Sequence, residues 1–184
     1  MFDFLFGKEK KEKIEKEIKE KYLKLFSFFT EAEFSSDALF LIEHMLEDPR
    51  AYYKKNKFVF DDLGITEDIN LEDLVWTEFV EILKETAIVS EIEDDYELDF
   101  FCFSIDRMDN RGFYELSEEN FDPDANVKDW LRTLQNQGQG KDRFMAEMEV
   151  DRDGHVIFIT DNDALKEMHE IALELNRYIR KFTV

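Results

Sequence analysis

The sequence has little cysteine, proline and glycine, and it has no long apolar run. Its 184 residues include one cysteine, two prolines and six glycines. A single cysteine excludes an intramolecular disulfide, and the absence of disulfides and of a secretory signal favours a cytoplasmic protein. Low proline and glycine contents predict a helix-rich chain with short connections. Because no apolar run approaches the roughly 20 residues of a membrane span, we expect no transmembrane helix.

Basic residues are also scarce relative to acidic ones. The chain has 24 lysines and arginines against 45 aspartates and glutamates, so its formal net charge is −21. Nucleic acid is disfavoured as a partner because binding to phosphates needs a basic surface. Basic proteins would instead be attracted. Since 43% of the residues are hydrophobic and 15% are aromatic, the chain has enough apolar mass to fold beneath an acidic surface.

The first thirty residues differ in composition from the rest. Residues 1–7 are rich in phenylalanine, and residues 8–29 are predicted to form a helix held by Glu–Lys pairs four residues apart. Its apolar positions share one stripe and are Ile14, Ile18, Tyr22, Leu25, Phe26 and Phe29. We therefore divide the chain into residues 1–30, a charged N-terminal helix that is an appendage or packs through its C-terminal half, and residues 31–184, one α+β domain.

The pattern of apolar residues predicts further helices in the middle of the chain. Residues 51–62 are ambiguous between a short strand and irregular structure. Residues 95–108 fit a helix or a strand, and a helix is favoured because an acidic pair precedes the segment and Gly112 follows it. The other predicted elements are helices at 36–47 and 70–86, a strand at 87–92 and a helix that opens at Asp122-Pro123.

The C-terminal part has the clearest pattern. Residues 144–150 alternate between apolar and polar positions, residues 151–154 form a turn ending in glycine, and residues 156–159 are a continuous apolar run. This order predicts a hairpin with an interior second strand. A final long helix is predicted from Asp161 to Phe182. The predicted fold class is therefore α+β, with about six helices packed on a small, largely antiparallel sheet.

Four stretches resemble a family of uncharacterised bacterial α+β domains. They are Asp62-Leu63-Gly64-Ile65, the helix around Trp76, the hairpin from Met148 to Ile159, and the helix from Leu165 to Ile179. The resemblance covers residues 58–182 approximately and consists mostly of hydrophobic patterns. It implies an α+β fold. Because the family has no known activity, it implies no functional residues.

No motif for catalysis or cofactor binding stands out. The histidines His44, His155 and His169 lack the spacing of zinc ligands. Cys102 lies among phenylalanines and is predicted to be a buried, inert thiol. Residues 151–154 resemble the start of a calcium loop, but its glycine comes too early and its twelfth position is not glutamate. We therefore predict no catalytic residue, no cofactor and no metal ligand.

The acidic surface suggests a binding function. The leading hypothesis is a protein-interaction domain, for example an immunity-type or inhibitor protein, that binds a basic protein partner. Its surface is expected in segments 91–99 and 115–124, where carboxylates are interleaved with aromatic residues. The candidate partner-binding residues are Glu93, Asp94, Asp95, Tyr96, Tyr114, Glu118, Glu119 and Phe121.

Three alternatives stay open from sequence. A carboxylate- or metal-dependent hydrolase would need two or more acids with raised pKa values in one pocket. A membrane-peripheral adaptor would attach through residues 1–21, although docking of the aromatic segment into a groove is favoured over contact with a membrane surface. Acidity that serves only solubility is the third. The sequence leaves the oligomeric state undetermined.

Overall fold

The computed structural model describes residues 14–108 and 114–183. Within these ranges the chain forms eight α-helices and four β-strands. The helices are α1 (Lys16–Phe26), α2 (Ser35–Glu47), α3 (Pro49–Lys55), α4 (Lys57–Asp62), α5 (Leu71–Glu85), α6 (Leu98–Arg107), α7 (Val127–Gln137) and α8 (Asn162–Glu174). The strands are β1 (Ser90–Ile92), β2 (Arg143–Met148), β3 (His155–Asp161) and β4 (Ile179–Lys181). Short 3₁₀ turns lie at Ser27–Phe29 and Glu118–Asn120.

The four strands form one antiparallel sheet in the order β1-β3-β2-β4. The apolar strand β3 is interior, as its uninterrupted hydrophobic sequence predicts. The turn before β3 depends on Gly154, whose φ is +106°. A Cβ atom there would lie 2.9 Å from the carbonyl oxygen of Ile92, so both conformation and space favour glycine.

Helices cover both faces of the sheet. Val156 and Phe158 of β3 point to the first face, where they pack with buried side chains of α1, α2, α5 and α8. Ile157 and Ile159 alternate to the second face and pack with α6 and α7. The fold therefore has three layers. A small cluster around Tyr53 joins α3 and α4 to α5.

Several local signals explain where the helices start. The side-chain oxygens of Asn70, Asn126 and Asp161 each accept a hydrogen bond from a backbone N–H in the first turn of α5, α7 and α8. Asp48 does the same for α3, in which Pro49 takes the first position.

The predicted α+β class is confirmed, but the helix count is wrong. Residues 49–62 form the two short helices α3 and α4, because the Asp48 cap and Pro49 start a helix that the sequence pattern does not show. The predicted opening of α7 at Asp122-Pro123 is also too early, since Asn126 caps the helix. The helical interpretation of residues 95–108 is confirmed by α6, although Gly112 lies outside the described residues.

The final helix is shorter than predicted. It ends at Glu174, and Asn176 has a φ of +57°, which turns the chain back onto the sheet. Ile179 and Phe182 are buried as expected, but they lie in and after strand β4 and contribute to opposite faces of the sheet. The predicted hairpin is present as β2 and β3.

The N-terminal helix packs against the first face. Tyr22, Leu25 and Phe26 of α1 are buried in the core, and Ile14 is also buried. The aromatic segment 1–7 and the first part of the predicted helix, residues 8–13, lie outside the described residues.

Candidate acidic and aromatic binding surface

Helix α6 places two large aromatic side chains on the protein surface. Phe101 and Ile105, four residues apart, are buried against the second face of the sheet. Phe100 and Phe103 lie on the other side of the helix and are 52% and 54% exposed. Neighbouring exposed apolar side chains that are rimmed by polar residues are a feature of interaction sites.

The exposed rings form a continuous aromatic cluster. The ring centroids of Tyr96 and Phe100 are 4.9 Å apart in an edge-on arrangement, and those of Phe100 and Phe103 are 6.2 Å apart. The guanidinium carbon of Arg107 lies 5.7 Å from the centroid of the Phe103 ring. These contacts hold the rings in place, so a partner would meet an ordered apolar surface.

Carboxylates surround this cluster on its N-terminal side. Glu93, Asp94 and Asp95 are exposed in the loop between β1 and α6. Asp94 lies 3.5 Å from Lys128, but both side chains are more than half exposed, so the pair neutralises little of the charge. Burial and the nearby Glu93 raise the pKa of Tyr96 to about 12, so its hydroxyl stays protonated at neutral pH. We call residues 93–96 with Phe100 and Phe103 the acidic–aromatic surface.

A groove of about 260 Å³ runs beside this surface, between α6 and the end of α5 with β1. Its walls include Tyr96, Phe100, Phe103 and Arg107 on one side and Lys84 with residues of the segment 87–93 on the other. Ser90 closes the floor, since its hydroxyl donates a hydrogen bond of 2.8 Å to the carbonyl oxygen of Ser104. The groove is therefore bounded by ordered secondary structure.

A balanced ion cluster supports the β1 side of the groove. Arg152 and Lys84 each bind both Glu81 and Glu91, with Arg152 at 2.6 Å and Lys84 at 2.9 Å from Glu81. Burial opposes ionisation of Glu91, but hydrogen bonds from Arg152 and Lys84 outweigh it and lower the pKa of that carboxyl. Because two cations meet two anions, this cluster adds no net charge to the surface.

A second polar cluster connects Asp94 to the sheet. The Nδ1 atom of His155 lies 3.4 Å from Glu147, and its Nε2 atom lies 3.9 Å from Asp94. The His155 ring packs edge-on against Phe182. Burial opposes ionisation of Glu147, but hydrogen bonds from His155 and Arg180 outweigh it, so the pKa of Glu147 is lowered. The cluster connects the acidic loop to β2 and β3.

The structure places the predicted residues in two groups. Glu93, Asp94, Asp95 and Tyr96 lie together on the acidic–aromatic surface. Tyr114 and Phe121 do not belong to a surface: they are 4% and 5% exposed and fill the core of the second face. The Phe121 ring packs edge-on against Phe101 at 5.7 Å. The expectation that these two aromatics are exposed is therefore wrong, because both side chains pack in the apolar core that includes α6 and the second face of the sheet.

The remaining segment 115–124 is acidic without exposed aromatic rings. Glu119 is exposed, whereas the side chain of Glu118 lies outside the described part of the chain. The surface aromatics that the sequence prediction missed are Phe100 and Phe103. Their spacing of three residues, set against the buried pair Phe101 and Ile105, is the signal in the sequence that separates the two sides of α6.

The structure also bears on Cys102, on metal binding and on membrane-spanning helices. Cys102 is half-buried, not buried as predicted, because it lies at the edge of the α6 interface. Among residues 14–108 and 114–183, no group of three or more His, Cys, Asp or Glu side chains is arranged to hold a metal ion. None of the helices in these ranges has the length and apolar character needed to cross a bilayer.

One carboxyl has a strongly raised pKa. Glu78 of α5 is fully buried, and neither of its oxygens has a hydrogen-bond partner in the described part of the structure. Burial raises its pKa to about 9, with Arg50 acting weakly in the opposite direction. Because no solvent reaches the carboxyl, a substrate cannot contact it without a change in the packing of α5. Glu78 therefore bears on the stability of the fold and does not form an accessible site.

Residues 21–182 match a protein family described as a domain of unknown function, DUF6630, and because this match spans most of the chain, the chain belongs to that family. No curated protein and no solved structure matches the chain. The match supports an uncharacterised family and begins earlier than the resemblance seen in the sequence, within α1. Bacterial origin remains a prediction.

Proposed function

We propose that this DUF6630 domain is a cytoplasmic protein-interaction domain that binds a basic protein partner through the acidic–aromatic surface. The observation that carries the proposal is the exposure of Phe100 and Phe103 beside the exposed carboxylates of residues 93–95, of which Asp94 forms only a solvent-exposed pair with Lys128. The same surface fits the more specific role of an immunity-type or inhibitor protein, which would cover a cationic site on its partner.

The aromatic rings would supply affinity. Full burial of an exposed phenylalanine side chain contributes about 1.5–3 kcal/mol, and because Phe100 and Phe103 are already about half buried, covering each of them contributes about half as much. Binding energy in protein interfaces concentrates in a few such anchors surrounded by polar groups. The ordered ring cluster of Tyr96, Phe100 and Phe103 has this arrangement, with the carboxylates of residues 93–95 at its edge.

The charge would raise the rate of association and favour basic partners over acidic ones. A net charge of −21 attracts a basic macromolecule and repels nucleic acid and acidic proteins. Charge alone does not distinguish binding from solubility, since any acidic residue on the surface serves solubility equally. The clustering of the rings bears on this choice, because solubility does not require Phe100 to contact both Tyr96 and Phe103 at the surface.

The experiment compares capture of proteins from a cell lysate at low salt by four immobilised chains. They are the wild type, Phe100→Ser/Phe103→Ser, the triple variant Glu93→Gln/Asp94→Asn/Asp95→Asn, and the matched control Glu43→Gln/Glu167→Gln/Glu170→Gln, which removes three exposed carboxylates elsewhere. We expect a basic protein that is retained by the wild type and the control and lost by both surface variants. Equal retention by all four chains would contradict the proposal.

Neither the hydrolase alternative nor the membrane-adaptor alternative is supported by an observation on the described residues. The one carboxyl whose pKa rises as far as about 9, Glu78, is buried away from solvent. Attachment through residues 1–21 concerns a segment of which only residues 14–21 are described. Co-sedimentation of the full chain with vesicles, compared with a chain lacking residues 1–21, tests the adaptor hypothesis separately.

A further inference from the structure

Strand β1 lies at an edge of the sheet, and its free side borders the groove described above. Within residues 14–108 and 114–183 the strand order leaves β1 and β4 as the two edges. Edge strands present backbone N–H and C=O groups that can pair with another chain, and proteins usually cover them. The two edges of this sheet differ in how far the outward backbone groups are hydrogen-bonded.

The hydrogen-bond pattern identifies which groups of β1 face outward. The N–H of Phe182 donates to Met145, and the N–H of Glu149 donates to Tyr178, so the odd-numbered residues of β2 pair with β4. The backbone groups of the even-numbered residues of β2 therefore form hydrogen bonds with even-numbered residues of β3. The odd-numbered residues of β3 direct their backbone groups to its other side, toward β1. Because Ile157 and His155 lie opposite Ser90 and Ile92, these two residues of β1 bond to β3. The N–H and C=O of Glu91 point away from the sheet.

The opposite edge is partly closed. By the same alternation, Ile179 of β4 directs its backbone groups outward. Its carbonyl oxygen lies 2.7 Å from the Nδ1 atom of His169 on α8, which occupies that position. Within the described residues no comparable hydrogen bond reaches the backbone of Glu91, and Lys84 and Arg152 both bind its carboxylate.

The space beside β1 suits an extended chain. Glu91, Ser90 and Val89 form one wall of the groove of about 260 Å³, and Phe100 and Phe103 form the other. The side chains of Ser90 and Ile92 point toward α6, and a strand added next to β1 would alternate in the same way. Every second residue of that strand would therefore meet the exposed rings. Its end near Glu93, Asp94 and Asp95 would meet carboxylates.

We propose that an extended segment of the basic partner adds to the sheet as a fifth strand along β1. This inference rests on the proposed function and specifies its binding mode. The segment would carry apolar side chains at alternate positions, which pack on Phe100 and Phe103, together with lysine or arginine near the acidic loop. Backbone hydrogen bonds to Glu91 would set the register, as in other complexes formed by strand addition.

The test uses a defined probe, a blocked peptide of about eight residues that alternates valine and arginine, at low salt. Backbone amide signals of the full chain report binding, and hydrogen exchange reports the N–H of Glu91. We expect the peptide to shift the signals of residues 89–93 and to slow exchange at Glu91 by about tenfold or more when it saturates the site, while Lys181 on the other edge is unaffected. Methylating the central backbone nitrogens of the peptide should weaken binding by about tenfold, because it removes the donors without changing charge.

The outcomes separate the binding mode from the proposed function. If the methylated peptide binds equally well while Phe100→Ser/Phe103→Ser abolishes binding, strand addition is overturned and the surface remains. If the unmodified peptide causes no shifts at any concentration, strand addition is overturned, and the proposed function is decided by the capture experiment alone. If exchange at Glu91 slows with rising protein concentration in the absence of peptide, a second copy of the chain occupies the edge and the proposal is wrong.

Discussion

The buried carboxyl of Glu78 should make the stability of this protein fall steeply as pH rises. Glu78 is fully buried on α5 and has no hydrogen-bond partner among the described residues. Two charged or titratable groups act on it from α3: Arg50 favours its ionisation, and Tyr52 is an uncharged phenol whose own pKa is raised by burial. The protein therefore accommodates Glu78 in its protonated form.

The size of the effect follows from the shift in pKa. The folded protein holds the proton up to about pH 9, whereas the unfolded chain releases it near the ordinary value of 4.5. Between these values unfolding releases a proton, so the free energy of unfolding falls by about 1.4 kcal/mol for each pH unit. From about pH 5 to about pH 8 this single group costs about 4 kcal/mol, which is a large part of the stability of a typical domain.

Urea denaturation across this pH range measures the effect. The variant Glu78→Gln keeps the shape of the side chain and cannot ionise, so the difference between the wild type and the variant isolates Glu78. We expect the two proteins to be similarly stable near pH 5 and the variant to be more stable by several kcal/mol near pH 8. The exposed control Glu167→Gln should follow the wild type.

Two results would refute the reasoning. Parallel stability curves for the wild type and Glu78→Gln would mean that the carboxyl is solvated or paired in the folded state. A variant that is less stable than the wild type near pH 8 would mean that the charged form is favoured. If glutamine itself disturbs the packing, Glu78→Met provides a second comparison, and it should gain about 1–3 kcal/mol near pH 5 because no buried polar group is left unpaired.

Three further predictions concern the fold around the site. Arg152→Met leaves Glu81 and Glu91 with only Lys84, so urea denaturation should show that the free energy of unfolding falls by about 3–5 kcal/mol. A fall below about 1 kcal/mol would mean that the ion cluster is solvated. Gly154→Ala places a Cβ atom 2.9 Å from the carbonyl oxygen of Ile92 at a φ of +106°, so we expect a loss of about 1–3 kcal/mol in the same assay, and unchanged stability would disprove the strain. Asn126→Ala removes the cap of α7 and should lower the thermal midpoint by an amount equivalent to about 1 kcal/mol, whereas no change would mean that the cap is replaced by water.

Sequence patterns predicted the parts of the fold that local forces determine. The hairpin of β2 and β3 was predictable because alternation, a glycine turn and an apolar run coincide within residues 144–159. Strand β4 was not, because Ile179 and Phe182 fit the apolar stripe of α8 equally well. The choice between helix and strand depends on the turn at Asn176, where a positive φ ends the helical path before β4 pairs with β2.

The candidate site was predictable only in part. Acidic residues in a loop are expected to be solvated, and residues 93–95 are exposed for this reason. Tyr114 and Phe121 lie outside α-helices and strands, where no period tells an inward side chain from an outward one. Phe100 and Phe103 lie in a helix, and their exposure could be predicted once α6 was assigned, since Phe101 and Ile105 then define its buried side.

The most direct test of the binding surface is calorimetric titration of the captured basic protein with the wild type, Phe100→Ser/Phe103→Ser and the control Glu43→Gln/Glu167→Gln/Glu170→Gln at two salt concentrations. The surface hypothesis predicts that the aromatic variant binds about 30-fold more weakly or worse, that the control binds nearly as the wild type does, and that salt weakens every complex. Equal affinity of the aromatic variant and the wild type would contradict it.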